Sequence, residues 1–421
     1  MKTLKKRNNY RMIQVVTSSF LLAGLMSNVH AGAIADLTGY DINETSLFKN
    51  NAITMGGWVN TGITYNATGS ADRFNGPVTF GDRHSEVQLN QLNLFLQRAV
   101  ATEGANWDVG GRFEIMFGTD AYYTQSYGAP RGHWDLNLLN GPDNRFYDLA
   151  MPQAYAEIYA PFGNGLNIKV GHFYTPIGYE TVPAPDNFFY THAYTMQFGE
   201  PFTHTGVLLN YTVDDNWAVV GGALTGSQTG GWDGSFDQQL GNWGGLLGAT
   251  WTSNDKNTSF NFTGTFSETS ETNSAAWAMY SAVLKHNITD KTHLVLQHDH
   301  GFANGAGASG EDAEWYGVNT HLTYDITDTL AAGIRGEWFR DQNGTRVGSP
   351  ARTFNQFGSA ASYYAVTAGV NWKPKKWLSV RPNVRYDWAD GTDVANGGQY
   401  RPYGNLKQDQ FLFSTDFSVT F

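Results

Sequence analysis

Apolar and polar residues alternate along many segments of this chain. In the last segment, Phe411, Phe413, Phe417, Val419 and Phe421 share one parity, and Ser414, Asp416, Ser418 and Thr420 share the other. Successive side chains of a β-strand point to opposite faces, so the pattern predicts a strand with one apolar and one polar face. The same two-sided pattern recurs around 258–267, 314–327 and 378–389.

Sixteen segments of this kind follow one another along the chain. They are predicted at 53–65, 87–99, 107–119, 149–160, 166–177, 203–213, 217–226, 242–252, 258–267, 276–289, 292–302, 314–327, 329–340, 363–373, 378–389 and 409–421. They are ten to fourteen residues long, which is longer than the ~5–6 residues of a soluble strand and close to the ~9–11 that a tilted strand needs to cross a bilayer. Membrane-spanning strands are therefore expected.

The connections between these segments alternate in length. Tight turns such as 214–216, 289–291 and 327–328 alternate with longer stretches such as 66–86, 120–148, 178–202 and 341–362. An even strand number with short periplasmic turns and long extracellular loops is typical of a bacterial outer-membrane barrel. A closed barrel also pairs every backbone group inside the hydrocarbon. The predicted fold is all-β: one transmembrane antiparallel β-barrel of about 16 strands, spanning 53–421.

The N-terminus predicts export. Five basic residues precede an apolar run from Met12 to Met26, and Val29-His30-Ala31 ends it, so we interpret 1–31 as a signal peptide and 32–52 as a short lead-in segment. A single anchoring helix is the alternative, but the run is shorter than the ~20 residues a span requires. Removing 1–31 leaves 22 basic against 38 acidic residues, a formal charge of −16, which argues against a nucleic-acid partner.

Composition excludes several kinds of chemistry. The chain has no Cys, so it has no disulfides, thiolate metal sites or haem attachment, and we expect no cofactor. No nucleophile elbow, H-E-x-x-H or P-loop is present, and we expect no enzyme activity. His172 beside Thr175 is the nearest approach to a lipid-face hydrolase site, although a polar residue there is usually interfacial.

Parity assigns a set of charged side chains to the pore. If Val384 and Tyr386 face lipid, then Arg381 and Arg385 face the lumen, since a cation at the midplane of the lipid face costs about 2–4 kcal/mol. The predicted pore-lining residues are Arg112, Glu114, Lys169, Arg335, Glu337, Arg381, Arg385 and Asp387, and Glu157 and Lys285 share their parity. They would tune ion selectivity, or they form a solvated wall of mutually paired charges.

The long loop at 178–202 is the candidate constriction loop. It carries Glu180, Asp186 and Glu200 but no Lys or Arg. In general porins, which the predicted architecture resembles, the third loop folds inward and sets acids opposite a basic wall. We therefore predict that these acids face Arg335, Arg381 and Arg385 across a constriction. An exposed loop packed by its own Phe188, Phe189 and Tyr190 is the alternative.

Metal binding is not expected. His298 and His300 share one strand face and have no obvious third ligand, while the intervening Asp299 points the other way. His84 with Glu86, and Asp312 with Glu314, fall in or beside predicted outer loops, where a solvated loop is the simpler interpretation.

Two short motifs carry a family resemblance. Gly171-His172-Phe173-Tyr174-Thr175-Pro176-Ile177-Gly178-Tyr179-Glu180 and Pro201-Phe202-Thr203-His204-Thr205-Gly206 resemble the β-barrel porin-2 (OmpL-like) family, and the likeness extends from about Met55 to Phe421. This resemblance implies an outer-membrane porin-like channel. The terminal Phe421 also resembles the signal by which the barrel-assembly machinery recognises outer-membrane proteins.

The sequence thus predicts a porin of the bacterial outer membrane that passes small hydrophilic solutes or ions by passive diffusion. About 16 strands enclose an aqueous channel, whereas about eight would be filled by side chains. Its partners would be outer-membrane lipid, the assembly machinery and the permeating solutes. Whether the protein forms a homo-oligomer stays open. Two alternatives stay open: a surface adhesion scaffold that binds through loops 120–148 and 341–362, and a sheath around a partner electron carrier.

Overall fold

The fold was obtained as a computed structural model, which describes residues 32–126, 134–135, 138–139, 146–225, 243–269, 275–307, 309–351, 358–393, 398–404 and 406–421. The predicted signal peptide at 1–31 lies outside these residues, as do parts of loops 120–148 and 341–362. The helices are α1 Ala33–Thr38, α2 Ser46–Asn50 and α3 Ala121–Thr124. The strands are β1 Ile53–Asn66, β2 Val87–Arg98, β3 Asp108–Gly118, β4 Asp148–Ala160, β5 Leu166–Tyr174, β6 Thr203–Thr212, β7 Trp217–Thr225, β8 Gly244–Thr252, β9 Thr258–Thr269, β10 Ala275–Thr289, β11 Thr292–Ala303, β12 Ala313–Thr327, β13 Leu330–Asp341, β14 Ala361–Lys375, β15 Leu378–Val380, β16 Asn383–Asp393, β17 Gly398–Gln399 and β18 Asp409–Thr420.

These strands close into one antiparallel barrel. From β1 to β14 each strand pairs with its sequence neighbours, and β1 also pairs with β18, so the sheet closes on itself. β15 and β16 together make one wall position between β14 and β18, while the two-residue β17 pairs only with β16. The wall therefore has sixteen positions. The predicted all-β class and strand number are confirmed.

The two-residue alternation matches the two faces of the wall. Outward side chains such as Leu247, Phe262 and Phe413 are 45–63% exposed, as expected for residues that contact lipid. Inward neighbours such as Thr263 and Asp416 are fully buried. A solvent-exposed apolar face of this extent fits a hydrocarbon surrounding, since soluble monomers rarely expose such areas.

Two local breaks in the alternation place residues that the pattern alone would misassign. Asn90 is an extra residue between the pairs Asn60–Gln91 and Thr61–Leu89, so both Asn90 and Gln91 point inward. This is a β-bulge, which re-aims side chains. The predicted strand 378–389 is divided at Pro382, because proline has no N–H to give to the ladder.

The inner wall is less polar than the sequence pattern predicts. From β6 to β11 it carries buried apolar side chains: Leu208, Val220, Leu224, Leu246, Met279, Val283 and Val295. Several of these pack with Ile177, Val182, Met196 and Phe198 in one hydrophobic cluster. This part of the lumen is a packed core rather than a hydrated surface.

Other loops extend the packing inside the barrel. Phe80, Val347 and Tyr403, from three different loops, are at most 1% exposed and belong to the same cluster as Tyr194. The hydroxyls of Tyr194 and Tyr403 lie 2.9 Å apart. More of the upper lumen is therefore filled than the prediction of one inward loop implies.

The two ends of the described chain meet at the periplasmic rim. Phe421 and Gly57 exchange two backbone hydrogen bonds of 3.0 Å. Below that point, the Asn43 side chain donates to the Met55 carbonyl at 3.0 Å and accepts its N–H at 2.8 Å. The lead-in segment, residues 32–52, thus covers the edge of β1 beyond the end of β18. None of the helices described between residues 32 and 421 has the length and apolar character to cross a membrane.

Candidate constriction site in the lumen

The constriction loop, residues 178–202, crosses the lumen. It leaves β5 and returns to β6, yet its hydrogen bonds reach the opposite wall at β2, β13, β14 and β16. Every residue from Phe189 to Pro201 is buried. The exposed-loop alternative is therefore wrong.

Three arginines on the far wall hold the backbone of this loop. Arg381 donates to the carbonyls of Ala184 and Asn187 at 2.6 and 2.8 Å. Arg335 donates to the Thr191 carbonyl at 2.6 Å, and Arg385 to the His192 carbonyl at 2.7 Å. All three side chains are at most 2% exposed. Charge-assisted hydrogen bonds of this length are the strong kind, so the arginines act as anchors of the loop.

Glu180 meets Arg335 in direct contact rather than across open space. Their Oε1 and Nη1 atoms are 2.7 Å apart, and the rings of His192 and His321 approach the same carboxylate at 3.3 and 3.8 Å. Burial works to raise the pKa of Glu180, but Arg335 and His192 outweigh it and hold the pKa well below its usual range. Glu180 is therefore an anion within a buried cluster.

Glu337 and Asp387 complete the anchoring network. Arg385 lies 2.7 Å from Asp387 and 3.1 Å from Glu337. Glu337 also accepts the Tyr194 backbone N–H at 2.6 Å, and Asp387 accepts the Tyr194 hydroxyl at 3.1 Å. These carboxylates compensate the buried guanidinium and bind the loop at the same time.

Glu200 makes no ion pair with any arginine that the structure describes. Its carboxyl group lies beside that of Asp299 on β11, and the Gln297 amide donates to both, at 2.9 Å to Asp299. Burial first, and the adjacent Asp299 second, raise the pKa of Glu200 well above its usual range. A neighbouring buried carboxylate disfavours a second negative charge, so Glu200 holds its proton more tightly than a free side chain does.

Asp186 is the acid that faces the remaining open space. It lies at the end of the short 3-10 turn Ala184–Asp186, its side chain is exposed to the lumen, and it makes no ion pair with any described residue. Partial desolvation inside the barrel raises the pKa of Asp186, while the charges of Lys373 and Arg112 act in the opposite direction. Lys373 on β14 is exposed as well.

The remaining predicted wall residues lie on the periplasmic side of the loop. Arg112 pairs with the fully buried Glu114 at 2.6 Å and stacks over Phe95 at 4.0 Å. Lys169 lies 3.9 Å from Glu157, and the Lys285 ammonium lies 4.9 Å from the centre of the Tyr179 ring. Arg112 and Lys169 keep 16% and 27% of their side chains exposed.

Of the three loop acids predicted to face the arginines, only Glu180 does so. It touches Arg335 directly instead of facing it across an open constriction. The structure brings all eight predicted wall residues to the inner face, and whether they set selectivity stays a prediction. Gln91 was missed: its amide donates to Asp120 and Val182 and accepts from Trp58 and Ala184. The consecutive polar pair Asn90-Gln91, which interrupts the alternation, was the available signal.

The other candidate sites are occupied by internal contacts. His172 is buried, bonded to Thr205 at 2.8 Å and covered by Trp134 at 4.7 Å. His300 pairs with Glu314 at 2.9 Å on the outer face, and Glu86 pairs with Arg83 at 2.7 Å. Within the described residues, no group of three or more His, Cys, Asp or Glu side chains could hold a metal ion.

A closed sixteen-position barrel with an apolar exterior and a loop fixed across its lumen defines the class of outer-membrane channel proteins. Residues 52–421 match the family described as Putative beta-barrel porin-2, OmpL-like, and the chain belongs to that family. It is accordingly a porin-type channel of the bacterial outer membrane. No curated protein sequence matches it significantly.

Solved porin structures share the fold. The outer membrane channel DcaP of Acinetobacter baumannii superposes with a TM-score of 0.55 at 13% identity, covering 88% of this chain and 97% of that one. An anion-selective porin from Comamonas acidovorans gives 0.54 at 10% identity, covering 88% and 99%. OmpF of Salmonella typhi gives 0.55 at 11% identity with the same coverage. Identities this low support the fold alone.

Proposed function

We propose that the channel passes small hydrophilic solutes and ions by diffusion, and that the turn at Asp186 sets its narrowest part. The observation that carries this proposal is the constriction loop, which is bound to the far wall by three arginines and leaves one exposed carboxylate in the lumen. Solutes must therefore pass between the constriction loop and the part of the wall to which the arginines do not bind it. There Asp186 is opposed by the accessible cations Arg112 and Lys373, which gives a transverse field at the passage.

Ion selectivity in planar bilayers tests the assignment of Asp186. D186N removes the exposed anion, so its reversal potential in a salt gradient should shift toward anions, and K373Q should shift it toward cations. Both shifts should grow at low salt, where the Debye length exceeds about 10 Å. D290N, in the exposed periplasmic turn after β10, is the matched control. If D186N and K373Q behave like D290N, Asp186 does not lie at the narrowest part.

Liposome swelling tests passive diffusion itself. Uptake of uncharged sugars should fall steeply with solute size, without saturation and without an energy source. Saturable uptake of one sugar, or a rate independent of size, would contradict the proposal. The adhesion and electron-carrier alternatives both predict little swelling with any solute.

Three further properties of the protein are also proposed. We infer that the chain has no enzyme activity, which is supported by the covered position of His172. We infer that Phe421 serves the assembly machinery, supported by its place at the barrel seam, where it pairs with Gly57. A homo-oligomer stays a prediction.

A further inference from the structure

The lead-in segment has an apolar side, formed by four large side chains that stay more than half exposed to solvent in the structure. Ile34, Leu37, Tyr40 and Leu47 are 52%, 72%, 58% and 67% exposed. They occur in a stretch of only 21 residues and lie on α1, on α2 and between them. Four large apolar residues this exposed within one short segment indicate an interaction surface rather than scattered surface positions.

Specific contacts fix where this segment lies on the barrel. The Asp36 carboxylate accepts the indole N–H of Trp377, in the turn between β14 and β15, at 2.8 Å. Gly32 packs so closely on Phe421 that a Cβ there would lie 2.4 Å from its Cα. With the Asn43–Met55 pairing, these contacts hold the segment along the periplasmic rim below β14, β15, β18 and β1.

That rim coincides with the lower boundary of the lipid-facing wall. Around the barrel, exposed apolar side chains continue down to the periplasmic turns, as at Trp217, Ile288 and Ile326, which are 45–51% exposed. Trp372, on the strand that leads to Trp377, is 47% exposed. Aromatic residues at this level typically mark the membrane interface. The apolar side of the lead-in segment is therefore continuous with the surface that contacts lipid.

We propose that the lead-in segment docks on the periplasmic leaflet of the outer membrane, with Leu37 and Leu47 inserted at the level of the phospholipid head groups and upper acyl chains. The charged groups of the segment are compatible with that position. Asp36 is bound by Trp377, Asp41 accepts the Asn43 backbone N–H at 2.8 Å, and Glu44 is paired with Lys49 at 2.5 Å. Short amphipathic helices that lie in an interface plane use the same division of apolar and charged sides.

Single-cysteine labelling tests this directly, because the chain has no cysteine of its own. L37C and L47C are labelled with the polarity-sensitive dye NBD in the full-length barrel, reconstituted into phosphatidylethanolamine and phosphatidylglycerol vesicles. L247C, on the mid-wall outer face, is the lipid reference, and D290C, in an exposed turn, is the aqueous reference. Nitroxide lipids labelled near the head group and iodide in the buffer are the two quenchers.

We expect NBD at Leu37 and Leu47 to emit at shorter wavelength than at Asp290, to be quenched by the shallow nitroxide lipid, and to be protected from iodide. Emission and iodide quenching equal to those of D290C would overturn the proposal. A blue shift without lipid quenching would overturn it too. In that case pyrene at L37C tests for a second copy of the chain, since excimer emission would place two copies in contact.

Discussion

Replacing Arg381 with Met should release the turn of the constriction loop from the wall. The guanidinium is 2% exposed and holds two loop carbonyls, those of Ala184 and Asn187. It also pairs with the fully buried Asp416 on β18. Met keeps much of the apolar volume of the side chain but none of its donors.

The size of the effect follows from the bonds that are lost. A hydrogen bond to a charged group contributes about 1.5–3 kcal/mol, so the two carbonyl bonds together contribute about 3–6 kcal/mol. Arg335 and Arg385 still hold residues 191 and 192, so the release is confined to the turn near Asp186. With the lower figure, and a tenfold change for each 1.4 kcal/mol, the released population of the turn rises about a hundredfold.

Single-channel recording in planar bilayers measures this release. R381M should show larger current noise and added open levels, because the turn that narrows the passage samples positions away from the wall. The mean conductance should rise as well. The same protein should keep its heat-dependent shift on SDS gels, since the backbone hydrogen bonds of the barrel wall are unchanged.

Asp416 requires its own control, because R381M leaves that carboxylate buried without its cation. Breaking a buried pair in this way costs about 3–5 kcal/mol. D416N removes the charge while Arg381 still binds both carbonyls, and R381M/D416N removes the pair. Noise in R381M and in the double variant, but not in D416N, supports the anchoring role. Quiet channels of unchanged conductance in the double variant would refute it.

Two pH dependences follow from buried acids outside the strands. Because burial and the adjacent Asp299 raise the pKa of Glu200, the folded protein holds the Glu200 proton more tightly than the unfolded chain does, and rising pH should loosen the loop at Glu200. Current noise should therefore increase as the pH rises through this raised pKa in the wild type, and stay constant in E200Q. Burial raises the pKa of Asp120 to about 7, so stability should fall from about pH 4 to about pH 7, by up to about 4 kcal/mol. D120N should abolish that part of the slope of urea stability in detergent, and an unchanged slope would contradict the assignment.

The wall was predictable from sequence because one physical rule governs every strand. Hydrocarbon on one side and packed polar groups on the other force a period of two, and a register error of one residue would expose the wrong face. Phe413 beside Ser414 is therefore enough to orient the wall at that position. The direction of each strand then follows from the lengths of its connections, because short turns lie on the periplasmic side and long loops on the extracellular side.

The interior was only partly predictable, because packing against loops obeys no such period. Leu246 and Met279 lie on inward positions and are buried by cluster packing that their own strands do not encode. Gln91 faces the loop only because Asn90 bulges. Lys373 is the last residue of the predicted strand 363–373 and is not among the predicted pore-lining residues, although the strand continues to Lys375 and exposes Lys373 to the lumen.

The charged residues of the lumen divide into two groups that sequence parity cannot separate. Arg335, Arg381 and Arg385 have the same parity as Lys169 and Arg112, yet they are at most 2% exposed while the latter keep 16–27%. Buried guanidinium groups that bind carbonyls and carboxylates present almost no surface to a passing ion.

The two groups therefore act on permeation by different physical routes. An anchored arginine determines where the loop lies, and hence the diameter of the passage, whereas an accessible side chain such as Asp186 or Lys373 contributes its charge to the ion directly. Screening by salt weakens the second route far more than the first, because buried pairs are poorly screened. The anchoring arginines thus affect conductance through the diameter of the passage at any ionic strength. The exposed charges affect it through their electric field, and mainly at low ionic strength.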